Sequence, residues 1–382
     1  MKPKLLFAML VFMFTLTGCW NSLELTERAF VMAVALDKEE NGKIRMTVQY
    51  FKPTEDTQGS SAKQGQNMKI NITTVNHSVQ EAVRDLINYV GRKAQWSHMR
   101  TILIGEELAK TDIISPIDFF YRDTEPRLST EVVITEGRAA RYLEVQPYIE
   151  NTIAHQLRET QRMASRFSAM TVDANLLTMA LQTKSQVGVA LVPYVAFSKI
   201  NPGKITVAGI ACLKDGKLIH ITSPEQTEYT LLLVGKFRSG VLHAACDQEV
   251  HEAITVHNSV TKTEAKVQNQ QVRIQIQTNI YAAISEMKCT RIMNEDDERK
   301  WIGRIESVIQ KKMEESLKVM QAKKMDVLGI GNQIYRQNPA LWKRWKDDWP
   351  NRFEKAEFDI QVHLHITNHG IMTPKPVLLK VE

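Results

Sequence analysis

The sequence lacks an apolar run long enough to cross a bilayer as a helix. Its longest predominantly apolar run, residues 5–16, contains 12 residues, whereas a membrane-spanning helix needs roughly 20. A later apolar stretch, YTLLLVG at residues 229–235, is shorter still. This shortage excludes a chain that is held in a membrane by a spanning helix.

Cysteine is also scarce, with four residues in a chain of 382: Cys19, Cys212, Cys246 and Cys289. The last three are 34 and 43 residues apart, spacings that match neither a zinc cluster nor a dithiol redox motif. We expect buried structural cysteines at these three positions. A disulfide between two of them stays open.

Neither sign of charge dominates the composition. There are 49 Lys and Arg residues against 43 Asp and Glu residues, which gives a net charge of +6. Lys2 and Lys4 supply two of those charges, and the rest are spread along the chain. Such a mild excess would suit an anionic membrane surface and is weak support for nucleic-acid binding. We therefore predict no nucleic-acid partner.

The first residues have the layout of an export signal, with Lys2 and Lys4 before the apolar run and small residues after it. The string Leu16-Thr17-Gly18-Cys19 resembles the lipobox of bacterial lipoproteins, which are cleaved before the cysteine. The resemblance implies a diacylglyceryl thioether and an N-acyl group on Cys19, and two acyl chains give stable membrane attachment. An ordinary secretory signal and a short buried helix are the alternatives.

Removal of residues 1–18 would leave 364 residues, enough for two or three domains. Residues 29–36 and 44–50, joined at Asn41-Gly42, predict a β-hairpin. The polar string from Thr54 to Asn67 predicts a mobile loop. Ser78, Glu81 and Gly91 predict the start and end of an amphipathic helix.

Further along the first half, residues 99–105 and 131–137 predict core strands. Between them, Ser115 as the cap and Pro116 at the first position predict a helix. Helical patterns follow over residues 141–183, and VGVALVPYV, residues 187–195, predicts a strand that closes this half.

Asn201-Pro202-Gly203 is the clearest break in the pattern. Beyond it we predict a hairpin that turns at Asp215-Gly216, a helix capped at Ser223, two strands and a long helix over residues 298–325. A final strand, FDIQVHLHIT, begins at residue 358. Hairpins and helices in blocks, without a repeated strand-helix-strand order, predict a multi-domain α+β fold with mixed or antiparallel sheets and packed helices.

Histidines are the only candidates for a metal site. His363 and His365 would share one face of the last strand, but apolar residues alternate with them, as on a half-buried strand with a solvated side. His243, His251 and His257 are 8 and 6 residues apart, which does not match the i, i+4 spacing of a helical metal site, and no acidic residue forms a zincin pattern with them. We find no nucleophile motif and no phosphate-binding glycine loop, and we predict neither a catalytic residue nor a cofactor.

The string NPALWKRWKDDWP is the most conspicuous aromatic segment. Asn338 and Pro339 predict the start of a short helix and Pro350 its stop, with three tryptophans on one face, Trp342, Trp345 and Trp349. That face could contact lipid headgroups or a partner, with Lys343, Arg344 and Lys346 beside it. We favour a core-facing aromatic stripe.

Several separated strings together resemble the Ger(x)C family, the C subunits of nutrient germinant receptors in endospore-forming bacteria. They are CWNSLELTERAFVMAVALDK, QWSHMRTILIGEELAK, FFYRDTEPRLSTEVVITEGRAARYL, AGIACLKDGKLI and MDVLGIGNQIYRQNPALWKRWKDDWPNRFEKAEFDIQVHLHITNHG. They cover nearly the whole chain after residue 18. The resemblance carries over one functional position, the lipidated Cys19, and gives no role to Trp20 or His98.

What the resemblance implies is a lipoprotein at the outer face of the spore inner membrane, needed for germination in response to nutrients such as amino acids or sugars. It would work with an integral membrane A subunit and a B subunit similar to amino-acid transporters. The implied organisation is a signal peptide at 1–18, a domain or two subdomains at 19–200, and a domain at 201–382, none of them enzymatic.

Two other classes of protein stay open from the sequence. A solute-binding lipoprotein of an importer should show two strand-helix-strand lobes around a crevice. An exported lipid-anchored hydrolase would need a nucleophile and base or a metal cluster.

Overall fold

The computed structural model describes residues 24–52, 69–245, 251–268, 271–290, 292 and 294–368. The predicted loop from Thr54 to Asn67 lies outside these residues. Within them the chain forms two sheets and eleven α-helices. This is the multi-domain α+β fold that the sequence predicts.

The first sheet contains nine strands in the spatial order β3-β2-β1-β5-β6-β7-β8-β9, and β4 pairs with β1 outside that path. Their bounds are β1 Arg28–Lys38, β2 Ile44–Phe51, β3 Lys69–Asn76, β4 Lys93–Gln95, β5 Thr101–Gly105, β6 Glu131–Thr135, β7 Val189–Phe197, β8 Ile205–Lys214 and β9 Lys217–Ile221. The middle of the sheet is parallel, from β1 through β5 and β6 to β7, and antiparallel hairpins flank it on both sides.

The second sheet has the order β10-β11-β12-β13. Its strands are β10 Gly240–Ala245, β11 His251–Gln268, β12 Gln271–Glu286 and β13 Glu357–Asn368. The long β11–β12 pair is antiparallel, whereas β13 joins β12 in parallel. Parallel pairing requires a crossover connection, and the chain between Glu286 and Glu357, which is mostly helical, supplies it.

The helices are, in chain order, α1 Val79–Val90, α2 Glu106–Ala109, α3 Ile114–Arg122, α4 Ala140–Glu144, α5 Ile153–Met163, α6 Leu176–Thr183, α7 Pro224–Leu233, α8 Glu295–Ala322, α9 Ile330–Gln337, α10 Pro339–Trp345 and α11 Trp349–Glu354. Short 3₁₀ turns occupy Leu25–Glu27 and Trp96–His98, and a π-helical turn, Ala164–Ser168, extends α5.

Each face of the first sheet is covered by its own helices. On one face, α1 and α3 bury Leu86, Ile117 and Phe120. On the other, α4 and α5 bury Tyr142 and Leu157. A sheet covered on both faces reads in sequence as continuous apolar strands, which explains the unbroken apolar run in β1.

The core of the second sheet lies under α8, which buries a stripe of five residues there, Ile305, Ile309, Met313, Leu317 and Met320. Helix α7 packs between the sheets, against β8, β11, β12 and α8. Because it has neighbours on several sides, its last five residues are all buried, and no solvent-facing stripe forms there.

Several local predictions are confirmed. The β1–β2 hairpin pairs Leu36 with Met46. Helix α1 begins after Ser78, whose hydroxyl accepts from Glu81 N at 3.2 Å, and ends at Gly91 in the left-handed conformation. The hairpin of β8 and β9 and the Ser223 cap of α7 are also as predicted.

Two predicted helix signals are wrong. Helix α3 begins at Ile114, one residue before Ser115, because the Asp112 side chain accepts from Ile114 N at 2.8 Å and takes over the capping role. Pro350 does not stop a helix; α10 has already ended at Trp345, and Pro350 lies in the first turn of α11. Proline fits a first turn because its missing N–H has no partner there.

The Asn201–Gly203 break does not separate the two sheets. Strands β8 and β9 follow it in sequence and complete the first sheet, with Tyr194 opposite Gly209. Strand β7 is therefore an interior strand rather than the closing strand of the first half. The division of the chain at residue 200 into independent domains stays a prediction.

Candidate functional site

The lipidation site predicted at Cys19 lies outside the described residues, as do Trp20 and Cys246. Cys19 therefore stays a prediction. None of the helices that the structure describes is both long and apolar enough to cross a membrane.

The predicted histidine positions are dispersed. His363 and His365 lie on the exposed face of β13, while Val362 and Leu364 are buried on the other face, which confirms the solvated-side interpretation. His365 stacks on Tyr281 with ring centroids 4.9 Å apart. Among the described residues, no three His, Cys, Asp or Glu side chains converge in a way that could hold a metal ion.

The tryptophan face of α10 and α11 is buried. Each of the three side chains, Trp342, Trp345 and Trp349, is at most 5 % exposed. This confirms the prediction of a core-facing aromatic stripe, and the alternative that these indole rings contact lipid headgroups is wrong. Trp342 and Trp349 meet edge to face, with centroids 5.4 Å apart. Because both N–H groups are buried, each needs an acceptor.

Asp326, in the turn between α8 and α9, is the acceptor for Trp349. Its carboxylate accepts from Ile330 N at 3.0 Å, from Gly331 N at 2.7 Å and from Trp349 Nε1 at 3.0 Å. Burial raises the pKa of Asp326, and the hydrogen bonds from the backbone and the indole oppose this rise only in part. One side chain thus joins the start of α9 to α11.

At Gly331, helix α9 packs tightly against Trp342 and Val187. A Cβ atom built there would lie 2.5 Å from Trp342 Cη2 and 2.6 Å from Val187 Cγ1. Only glycine permits this approach. Trp342 in turn donates from Nε1 to Gln186 Oε1 at 2.8 Å, so the helical segment is fixed to the loop that leads into β7.

We call this group of residues the junction: Gln186, Val187, Asp326, Gly331, Trp342 and Trp349. It connects the helices of the second sheet to the first sheet. A cleft of about 280 Å³ opens beside it, lined by residues that include Leu181, Val189, Val234 and Asn332. Four residues of the string MDVLGIGNQIYRQNPALWKRWKDDWP take part in this one contact: Asp326, Gly331, Trp342 and Trp349.

Sequence analysis missed Asp326 and two other buried carboxylates. Asp37 accepts from Ala139 N at 2.7 Å and Ala140 N at 3.0 Å, at the start of α4. Burial raises the pKa of Asp37 despite these bonds. The available signal was a lone acid inside or beside an apolar run, since an acid is rarely buried without partners.

Glu252 on β11 is the third buried carboxylate. It accepts from Trp301 Nε1 at 2.7 Å and Thr290 N at 2.9 Å, and it pairs with Arg304. Burial acts to raise its pKa, but these hydrogen bonds and the Arg304 charge outweigh burial and lower it. All three carboxylates therefore hold separate segments together through several donors each.

The cysteines divide into two kinds. Cys212 on β8 is free and buried, as predicted, and burial raises the pKa of its thiol to about 12. Cys289 is disulfide-bonded, which is the alternative that the sequence left open rather than the buried structural cysteine that it favoured. The Cys212 thiol, with so high a pKa, is a poor nucleophile.

The two sheets and the helices packed on them define a multi-domain α+β protein. The junction and the buried carboxylates hold its segments together. Models of two consecutive spore germination domains match the chain. The spore germination protein N-terminal domain matches residues 21–197, and the spore germination B3/GerAC-like C-terminal domain matches residues 208–370. The chain belongs to the GerAC-like family of spore germination proteins, the Ger(x)C family that its motifs resemble.

Curated relatives align over nearly their full lengths. Spore germination protein B3 of Bacillus subtilis (strain 168) is 23 % identical over 380 residues, which cover 97 % of this chain and 99 % of the relative. Spore germination protein A3 of the same strain is 25 % identical, with 97 % and 98 % covered. The crystal structure of the GerBC protein matches with a TM-score of 0.56 at 17 % identity, covering 88 % of this chain and 97 % of that one. The fold is thus shared along the chain.

Proposed function

We propose that this protein is a lipid-anchored, non-enzymatic subunit of a spore nutrient germinant receptor. In this proposal it lies at the outer face of the spore inner membrane and acts with integral membrane A and B subunits. The observation that carries the proposal is the match of both spore germination domains, in order, to residues 21–197 and 208–370. Full-length alignment to germination proteins B3 and A3 supports it.

The chemistry of the described side chains fits a role in protein contacts. Asp37, Glu252 and Asp326 are engaged by backbone or indole N–H groups, which supports a structural rather than a proton-transfer role. The diacylated Cys19 would keep the folded part close to its integral partners. Weak contacts then persist, because tethering raises the effective concentration of the two surfaces.

The test is germination of spores that lack the gene, measured against a panel of amino acids and sugars. Complementation uses the parent chain, the Cys19→Ala chain, and a chain in which a spanning helix replaces residues 1–19. We expect a restricted loss of nutrient responses that the parent restores and Cys19→Ala does not. Restoration by the spanning helix would assign the role of Cys19 to tethering.

Two outcomes would contradict the proposal. Full function of the Cys19→Ala chain would contradict the part of the proposal that requires a lipid anchor. A normal response of the deleted spores to every nutrient, with other receptor genes also deleted, would remove the receptor role. Binding of a nutrient by the purified chain alone would then favour the solute-binding alternative, and turnover of an added ester or peptide would favour the hydrolase.

A further inference from the structure

The amino-terminal ends of the parallel strands meet at one edge of the first sheet. Arg28 at the start of β1 pairs with Lys93, Ala33 pairs with Thr101, and Thr101 pairs with Glu131. The segments that lead into these strands lie together there. We call residues 24–28, 91–100, 123–130 and 174–181 the amino edge.

The amino edge is held together by direct contacts. Lys93 Nζ lies 3.2 Å from Glu125 Oε1, and Trp96 N donates to Glu125 Oε2 at 3.2 Å. Leu177 N donates to the carbonyl oxygen of Leu128 at 3.0 Å. The segments therefore form one continuous surface.

The distance from Cys19 to the described fold is short. Glu24 follows Cys19 by five positions, and five steps of extended chain reach at most about 18 Å. Strand β1 has 11 residues, so its last residue lies about 33 Å beyond its first. If Cys19 carries the lipid, as the proposed function requires, the amino edge is the part of the first sheet nearest the membrane.

The side chains of the amino edge suit a lipid surface. Four of its leucines are exposed: Leu25, Leu128, Leu177 and Leu181 are 74 %, 46 %, 46 % and 65 % exposed. Leucines of this kind insert at the boundary between headgroups and acyl chains. Their exposure is a cost in water that contact with lipid removes.

Cations accompany these leucines. Arg92 and Arg127 are exposed. Arg127 and Arg158 lie close enough to Arg100 to lower its pKa further, in addition to the lowering that burial causes. The edge also holds four acids, which all have partners within it. Glu125 pairs with Lys93 and Glu27 accepts from Glu24 N, while Glu24 accepts from Thr26 Oγ1 and Asp123 accepts from Glu125 N. Against them stand five cations, Arg28, Arg92, Lys93, Arg100 and Arg127.

We propose that the amino edge docks on the anionic phospholipid surface of the membrane that holds the lipid anchor, with its leucines in the interface and its arginines on lipid phosphates. The carboxyl ends of the same strands, with the turn at Ile200, then face away from the membrane. This orientation leaves the opposite end of the sheet for other contacts.

The test measures depth at two positions in the lipidated full-length chain, reconstituted in phosphatidylcholine vesicles with or without phosphatidylglycerol. Leu128→Cys and Ile200→Cys chains carry a fluorophore, the signal of the labelled parent is subtracted, and lipids with a quencher in the headgroup are added. Ile200 is 88 % exposed and serves as the matched control. We expect quenching at position 128 that increases with phosphatidylglycerol, and none at 200.

A charge test uses the unlipidated Cys19→Ala chain and the same vesicles. Removal of Arg92 and Arg127 as glutamine variants should weaken binding to anionic vesicles by roughly fivefold for each cation. The matched control removes the exposed Lys38 and Lys199 at the carboxyl ends of β1 and β7 in the same way, and it should leave binding unchanged.

The outcomes separate the two proposals. If the lipidated chain sediments with vesicles through Cys19 but position 128 is not quenched, docking is overturned and the anchor stands. If chains with and without Cys19 both stay in solution, the anchor proposed for the function fails, and docking fails with it. Equal quenching at 128 and 200, or equal effects of the two charge pairs, would also overturn docking.

Discussion

Replacement of Asp326 by alanine would test whether the junction holds the helices to the sheets. The change leaves three buried donors without their acceptor: Ile330 N, Gly331 N and Trp349 Nε1, which lie 3.0, 2.7 and 3.0 Å from the carboxylate oxygens. Asp326 is 2 % exposed, so water has little access to replace the lost acceptor.

The magnitude follows from these contacts. A buried donor left without an acceptor costs about 1–3 kcal/mol, and three such donors cost at least about 3 kcal/mol. Removal of a buried carboxylate recovers part of its desolvation cost. We expect Asp326→Ala to lower the free energy of unfolding by about 2–4 kcal/mol. Asp326→Asn keeps one acceptor oxygen and should lower it by about half as much.

Urea unfolding followed by tryptophan fluorescence measures the effect, because Trp342 and Trp349 lie in the junction. The matched control is Asp118→Ala, which removes an exposed carboxylate that pairs with Arg122 on α3 and should change stability by less than about 0.5 kcal/mol. A loss below about 1 kcal/mol for Asp326→Ala would refute the reasoning, because it would mean that the three donors do not depend on this acceptor.

Two further predictions concern packing and pH. Gly331→Ala should lower the unfolding free energy by about 1–3 kcal/mol in the same urea assay, since its Cβ would overlap Trp342 and Val187; an unchanged midpoint would contradict this. Glu131 has a pKa raised to about 7, chiefly by burial and then by Asp173. The folded chain therefore binds this proton more tightly, and stability falls as pH rises from 4.5 to 7. Glu131→Gln should raise the free energy of unfolding by about 1–2 kcal/mol above pH 7, after allowance for solvent screening, and leave it unchanged below pH 4.5. Thermal unfolding of both chains above pH 7 and below pH 4.5 measures the difference. An equal effect of the substitution at the two pH values would contradict the prediction.

Local features of the fold were predictable because their causes lie within a few residues. The turn Asn41-Gly42 and the alternation that follows it specify the β1–β2 hairpin. Ser78 and Gly91 specify the ends of α1, and Asn338, which accepts from Leu341 N at 2.9 Å, specifies the start of α10. Where a cap was mistaken, as at Ser115, a side chain earlier in the chain, Asp112, accepts from the N–H groups of Ile114 and Ser115 and starts the helix sooner.

Long-range features were not predictable from pattern. The sequence of an apolar strand does not specify its pairing partner or the direction of pairing. The parallel centre of the first sheet and the parallel β12–β13 pair are therefore known only from the structure. For the same reason the Asn201–Gly203 break looked like a boundary, although β8 and β9 return to the first sheet.

The sequence by itself determined the α+β class, the family, the local hairpins and helices, and the prediction of an anchor at Cys19, because periodicity, caps and short motifs are written in neighbouring residues. Only the tertiary structure decided that Asp326, Gly331 and Trp349 form one junction and that the starts of β1, β5 and β6 share an edge. Those arrangements depend on contacts between distant segments, and their partners are fixed by packing of the whole chain rather than by any local signal.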